Sequence, residues 1–168
     1  MSLQSRITKV LAASGLAGAL LASVIAVSAQ ASSPAATQPT LVDVVSVVAN
    51  GNTTTSHIAL RNGVKYTIRV SGTLTLSHTA TIGDAEYGVL SNGTVQDKCA
   101  SSPQTDLGVG INTPGATTQK HPIAWGAYAS NHVYETGWVG AGAPIHFNYH
   151  DCLSSDNSGH VVARIYAG

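Results

Sequence analysis

The stretch Arg61-Asn62-Gly63-Val64-Lys65-Tyr66-Thr67-Ile68-Arg69-Val70 decides the fold class. Asn62-Gly63 is a strong turn signal, because both residues tolerate the backbone that tight turns need. Behind it Val64, Tyr66, Ile68 and Val70 face one way, and Lys65, Thr67 and Arg69 face the other. That period of two describes an antiparallel strand with one face on a core and one in water.

The pattern recurs on both sides. Upstream, residues 41–48 are rich in Val and end at Asn50-Gly51-Asn52, and residues 57–60 read as a short second strand. Downstream, residues 72–77 set Leu74 and Leu76 against threonines. Leu107, Val109 and Ile111 alternate with polar or glycine positions, after a turn-rich region at 78–104 holding at most short strands such as 87–90. Residues 123–129 and 133–139 read as strands separated by Ser130-Asn131. Ile145, Phe147 and Tyr149 alternate with His146, Asn148 and His150, and Val161, Ala163, Ile165 and Ala167 share one face of a closing strand at 160–167. Nothing after residue 40 sustains a 3.6-residue apolar period. About eight to ten short strands with turn signals predict an all-β chain, an antiparallel β-sandwich of jelly-roll type.

The first 31 residues fall outside this pattern. Arg6 and Lys9 precede an apolar run over 10–27, and Ala29-Gln30-Ala31 fits a small-residue cleavage site. This is the signature of a secretory signal peptide. The run is nearly long enough for an uncleaved anchor, but its Ala, Ser and Gly content and the cleavage motif favour removal. Residues 32–40, rich in Pro, Ala, Ser and Thr, read as a flexible lead, and residues 41–168 as one β-sandwich domain.

Removing Arg6 and Lys9 from the eight basic residues leaves six against eight acidic ones, a formal charge of −2. That balance argues against nucleic acid or an anionic membrane as partner. Oligomeric state stays open, a homo-oligomer included. The two cysteines, Cys99 and Cys152, are expected to pair in an exported chain; two unrelated thiols are the alternative. Such a bridge closes a loop worth about 4 kcal/mol in the chain-entropy description.

The densest polar run is Tyr149-His-Asp-Cys-Leu-Ser-Ser-Asp-Asn-Ser-Gly159, between two strand-like segments. Asp151 ends a strand, and Asp156-Asn157 returns towards it. Calcium accepts carboxylate, carboxamide and carbonyl oxygens together, so Asp151, Ser155, Asp156 and Asn157 form a candidate metal set. An ordinary Asx-rich turn uses the same residues. Histidines do not compete as ligands: His146 and His150 lie about 13 Å apart along one strand, and the other five show no metal spacing.

The tail Pro144-Ile-His-Phe-Asn-Tyr-His-Asp151, then Ser155-Asp-Asn-Ser-Gly-His-Val-Val-Ala-Arg-Ile-Tyr166, resembles the end of the bacterial calcium-dependent galactophilic lectins. The resemblance covers about twenty-five residues. It implies a galactose-binding-domain-like sandwich in which Asp151, Asp156 and Asn157 hold calcium, and the ion takes two hydroxyls of a galactose-type sugar. The loop here is two residues shorter than in that family, and Asp156 stands where the family has Asn, adding a negative charge. A similar Asp-Asn-Ser-Gly loop occurs in calcium-bearing carbohydrate-binding modules. The family's remaining sugar contacts lie in an earlier loop; by chemistry rather than motif, Asp84, Glu86 and Tyr87 are the candidates here.

Trp125, Trp138, Tyr128 and Tyr134 supply further aromatic surface for sugar stacking or for the core. Asn52-Thr-Thr54 and Asn92-Gly-Thr94 are glycosylation sequons that matter only in a eukaryotic host. No nucleophile motif is present, and Asp84 with Glu86 is a weak basis for glycosidase chemistry. The expectation is therefore a secreted calcium-dependent carbohydrate-binding protein and not an enzyme. The alternatives are a secreted structural β-sandwich stabilised by an ion or disulfide, and a small extracellular enzyme.

Overall fold

The computed structural model describes residues 38–76, 81–99, 102–113 and 123–168. The expected signal peptide and most of the lead lie outside these residues. The described chain is all-β: β1 (Thr40–Val48), β2 (Thr54–Thr55), β3 (Lys65–Ser71), β4 (Leu74–Thr75), β5 (Ile82–Gly83), β6 (Gly88–Val89), β7 (Val95–Gln96), β8 (Lys98–Cys99), β9 (Ser102–Asp106), β10 (Gly108–Asn112), β11 (Val133–Val139), β12 (His146–His150) and β13 (His160–Ala167). The helical element among the described residues is a 3-10 turn at Ser154–Asp156. No described helix is long and apolar enough to cross a membrane.

All strand pairing is antiparallel. A large sheet runs β1-β13-β3-β11 and a second runs β10-β12-β2; β4 to β7 form a small meander, and β8 pairs with β9. The alternation in β3 becomes its burial: Tyr66, Ile68 and Val70 are buried, while Lys65 and Arg69 are exposed. The same parity buries Val45 and Val47 of β1 and Val161, Ala163 and Ile165 of β13. They share one core cluster with Val109, Ile111, Ile145, Phe147 and Tyr149 of the second sheet. Each fully buried Val, Ile or Phe contributes about 1.5–3 kcal/mol by leaving water, so the chain is a sandwich-like pair of sheets over one apolar core.

The outward face of the large sheet follows from the registers. Val44, Arg164, Arg69 and Glu135 lie in one cross-strand row, and Leu41, Tyr166, Thr67 and Gly137 in the next.

Two predicted strands are not strands. Residues 57–60 make only an isolated bridge from Leu60 to Ala143. Side chains take the groups a ladder would use: Asp43 Oδ2 accepts the His57 amide at 2.7 Å, and Ser56 Oγ donates to the Ile58 carbonyl at 2.9 Å. The pairing moves upstream, to β2. Residues 123–129 are irregular for the same reason. The Trp125 amide donates to Glu86 Oε2 at 2.7 Å, its indole N–H to the Val109 carbonyl at 2.9 Å, and the Ala129 amide to the Tyr134 hydroxyl at 3.2 Å. The turn-rich region holds short strands, as expected: among its described residues β5 to β8 have two residues each, and β9 begins.

Candidate functional site

The polar loop begins where β12 ends. Phe147, Asn148 and Tyr149 are buried, so the backbone that delivers Asp151 is held on both sides. Asp151 Oδ1 accepts the Leu153 amide at 2.9 Å, closing the first turn. Ser154–Asp156 then makes the 3-10 turn that carries Asp156 and Asn157 back towards Asp151.

Four ties fix this loop. Cys152 is bonded to Cys99 of β8, with their Cα atoms 5.5 Å apart. Ser158 and Thr75 exchange both backbone hydrogen bonds at 2.9 Å. The Asn157 carboxamide donates to the Ala49 carbonyl at 2.7 Å. Ser154 packs on Gly51, where a Cβ would stand 2.8 Å from the Ser154 hydroxyl and where φ is +76°; glycine is required there on both counts.

Sequence-predicted ligands meet here. Burial pushes the Asp151 carboxyl above the usual carboxylate range; the Asp156 charge adds to this, and hydrogen bonds from Asn157 and the Leu153 amide oppose it. Asp156 Oδ1 and Asn157 Oδ1 are buried acceptors with no hydrogen-bond donor. Ser155 is exposed on the turn between them and Asp151. No Lys or Arg lies between Tyr149 and Gly159. Buried oxygens ordinarily find donors, so Asp156 Oδ1 and Asn157 Oδ1 are acceptors that the described loop leaves unsatisfied. Among the described residues no three His, Cys, Asp or Glu side chains gather as a metal group. The oxygen set here is instead two carboxylates and a carboxamide, a mixture that suits a hard cation such as calcium.

The other predicted contacts, Asp84, Glu86 and Tyr87, occupy a different turn, between β5 and β6. Asp84 is 1% exposed. Its Oδ1 accepts the Glu86 and Tyr87 amides at 2.9 and 2.7 Å; its Oδ2 accepts the Tyr134 hydroxyl at 2.9 Å and meets His132 Nδ1 at 2.8 Å. A carboxylate with four partners has no lone pair left for a sugar. Glu86 spends Oε2 on the Trp125 amide, and burial raises its carboxyl above the ordinary value. The Tyr87 hydroxyl donates to the Gly126 carbonyl at 2.7 Å, and its ring stands edge-on to Tyr128, centroids 5.6 Å apart. Burial, and then Asp84, keep the Tyr134 hydroxyl protonated far beyond its usual range.

The two turns share a neighbour, Tyr149. Its buried hydroxyl sits against Gly83, where a Cβ would collide with it. Burial raises its pKa well above the ordinary tyrosine value, and the charges of Asp84 and Asp151 raise it further.

Two histidines, His57 and His132, meet carboxylates. Both are bonded through Nδ1 to a carboxylate at 2.8 Å, His57 to Asp43 and His132 to Asp84. His132 has φ 51°, a left-handed conformation that the pairing with Asp84 holds in place. An Asn-His step before a strand is the one local hint of such a turn. The partner carboxylate 48 residues away leaves no trace in the pattern.

No protein-family model, curated protein or solved structure matches this chain.

Proposed function

We propose that this chain is a secreted, calcium-dependent carbohydrate-binding protein on a jelly-roll sandwich, acting as a binder and not as an enzyme. The observation that carries the reading is the pair of buried, donor-less oxygens, Asp156 Oδ1 and Asn157 Oδ1, beside the Asp151 carboxylate. Two acidic groups and a carboxamide held together without a cation are costly unless an ion joins them. Asp151, Asp156 and Asn157 would hold calcium, with the Ser155 hydroxyl beside them. Calcium keeps coordination positions open to water or to a pair of sugar hydroxyls. The chain's own part is to hold three oxygens still, through the disulfide, the Ser158–Thr75 pairing and the Asn157–Ala49 bond.

The sugar half of the proposal, with galactose-type sugars first, rests on the likeness of the tail to the galactophilic lectins. Asp84 does not belong to it, since its oxygens are fully used inside the fold. Tyr128, 39% exposed, remains as stacking surface, while Tyr87 is partly buried against the core.

The test has two stages. Calcium should raise the unfolding midpoint of the full chain and chelator should reverse it; a midpoint that does not move rejects the ion. A glycan array with and without calcium then separates a sugar binder from a structural domain, for which no glycan would respond to the ion.

A further inference from the structure

We infer that the free edge of β11 is a self-pairing surface, on which a second copy of this chain docks its own β11 antiparallel about a two-fold axis at Thr136. The large sheet has two edge strands, β1 and β11. A sheet edge invites another strand unless a bulge, a charge or a covering segment blunts it. β1 is blunted: a bulge falls between Leu41 and Asp43, and the buried Asp43 carboxylate accepts the Val44 and His57 amides. β11 pairs with β3 in unbroken register over its seven residues and contains no proline or lysine. Among the described residues no strand lies beyond it.

The groups that β11 offers follow from its register. The Gly72 amide donates to the His132 carbonyl, and the Gly140 amide to the Val64 carbonyl. Even-numbered positions therefore bond to β3, and the amides and carbonyls of the odd-numbered ones point to the open side. There the Val133 amide takes only the Asn131 side chain, at 3.2 Å. Glu135, Gly137 and Val139 are exposed, Val139 at 58%.

A two-fold axis at Thr136 sets Val133 opposite Val139, Tyr134 opposite Trp138, and Glu135 opposite Gly137 of the second copy. Three features that the single chain leaves unexplained fit this register. Glycine weakens a strand interior, yet a Cβ at Gly137 would meet nothing within 4 Å and its φ is not left-handed. A hollow of about 450 Å³ lies against Gly137, lined also by Lys65, Thr67 and Val139. Glu135 of the second copy would enter that hollow across the bare Gly137 backbone. Lys65 has no acidic partner among the described residues, and it would meet that carboxylate. The exposed Val133 and Val139 would cover each other. Moving the axis one residue, to Gly137, sets Glu135 against Val139 and leaves glycine facing glycine. Such a two-fold contact is isologous and closes on itself. Because β1 is blunted, pairing stops at two copies.

The experiment is sedimentation velocity of the protein from roughly 1 μM to 1 mM, the span in which so small a contact associates, in calcium and in chelator. A monomer–dimer equilibrium is expected in both, and Asp156→Ala should leave it unchanged. Gly137→Leu fills the space for Glu135 and should weaken the dimer by about tenfold or more, while dilute variant unfolds at or above the natural midpoint. Thr136→Cys places the thiol on the axis, in a pair whose Cα atoms stand about 4.5 Å apart, and should cross-link two copies under a mild oxidant. Val139→Cys, roughly 20 Å along the strand from its own counterpart, should not. The inference is overturned if the protein stays monomeric at the top of the range, if Gly137→Leu dimerises undiminished, or if Thr136→Cys cross-links no faster than Val139→Cys.

Discussion

At the turn between β5 and β6 one carboxylate, Asp84, has four hydrogen-bonding partners. At the loop after β12, Asp156 Oδ1 and Asn157 Oδ1 are buried with none. Both turns are acidic, both cap a strand and both press on Tyr149. The difference lies in what completes them. The Asp84 turn draws its donors from the fold: two amides of its own turn, and Tyr134 and His132 from β11 and the residue before it. The Asp151 loop receives amide donors for Asp151 and holds no Lys or Arg of its own. A carboxylate satisfied from within serves stability, and one left short serves a ligand.

The largest effect that would break this contrast is at Asp84. Asp84→Ala should strand two amides, a buried hydroxyl and His132, and cost about 3–5 kcal/mol in urea unfolding, with no dependence on calcium. A cost near zero would deny it the structural role. Next is the bridge: replacing Cys99 and Cys152 together by Ala should cost about 2–4 kcal/mol and weaken calcium binding, because Cys152 adjoins Asp151. Then comes Asp156→Ala, which in chelator should leave stability the same or raise it, because it removes a buried carboxylate oxygen that has no donor. It should also abolish the calcium gain, about 2.7 kcal/mol at a hundredfold excess over Kd in the natural chain. Equal calcium gains in variant and natural chain would move the ion elsewhere.

The smallest effect is in pH. Asp151 has a raised pKa in the folded chain, mainly through burial, so the folded state binds its proton more readily than the unfolded one. Its ionisation therefore costs stability above the folded pKa, and that cost is recovered as pH falls through it towards the ordinary value near 3.8. In chelator, Asp151→Asn should remove this slope. With calcium the sense reverses, because the ion needs the ionised carboxyl, and mild acid should release it. A natural chain and variant with identical pH profiles in chelator would show that Asp151 is solvated, and the contrast with Asp84 would lose one side.

Much of the fold was legible in the chain. The alternation at 65–70 and 160–167 survives as burial in β3 and β13 because a strand's faces follow from parity alone, whereas Val64, expected on the core face, lies before β3 and is exposed. Residues 57–60 and 123–129 misled because their apolar content is real while their amides are taken by Asp43, Glu86 and Tyr134. Those competitors lie 14 to 39 residues away or act from a neighbouring turn. The Asp151 loop was visible as a dense local run of oxygens. The fate of Asp84 was not, since its partners His132 and Tyr134 lie 48 and 50 residues on.

The sequence by itself determined the all-β class, which residues face the core, the pairing expected of two lone cysteines, and the one loop with a calcium-like set of oxygens. These follow from period, composition and local spacing. Only the tertiary structure decided which carboxylates are satisfied and which are left short, that Asp84 belongs to the fold, and that Arg69 and Arg164 fall opposite each other in the register of β3 and β13. Hydrogen-bond completion and cross-strand register depend on which distant segments meet, and one-dimensional spacing does not carry that information.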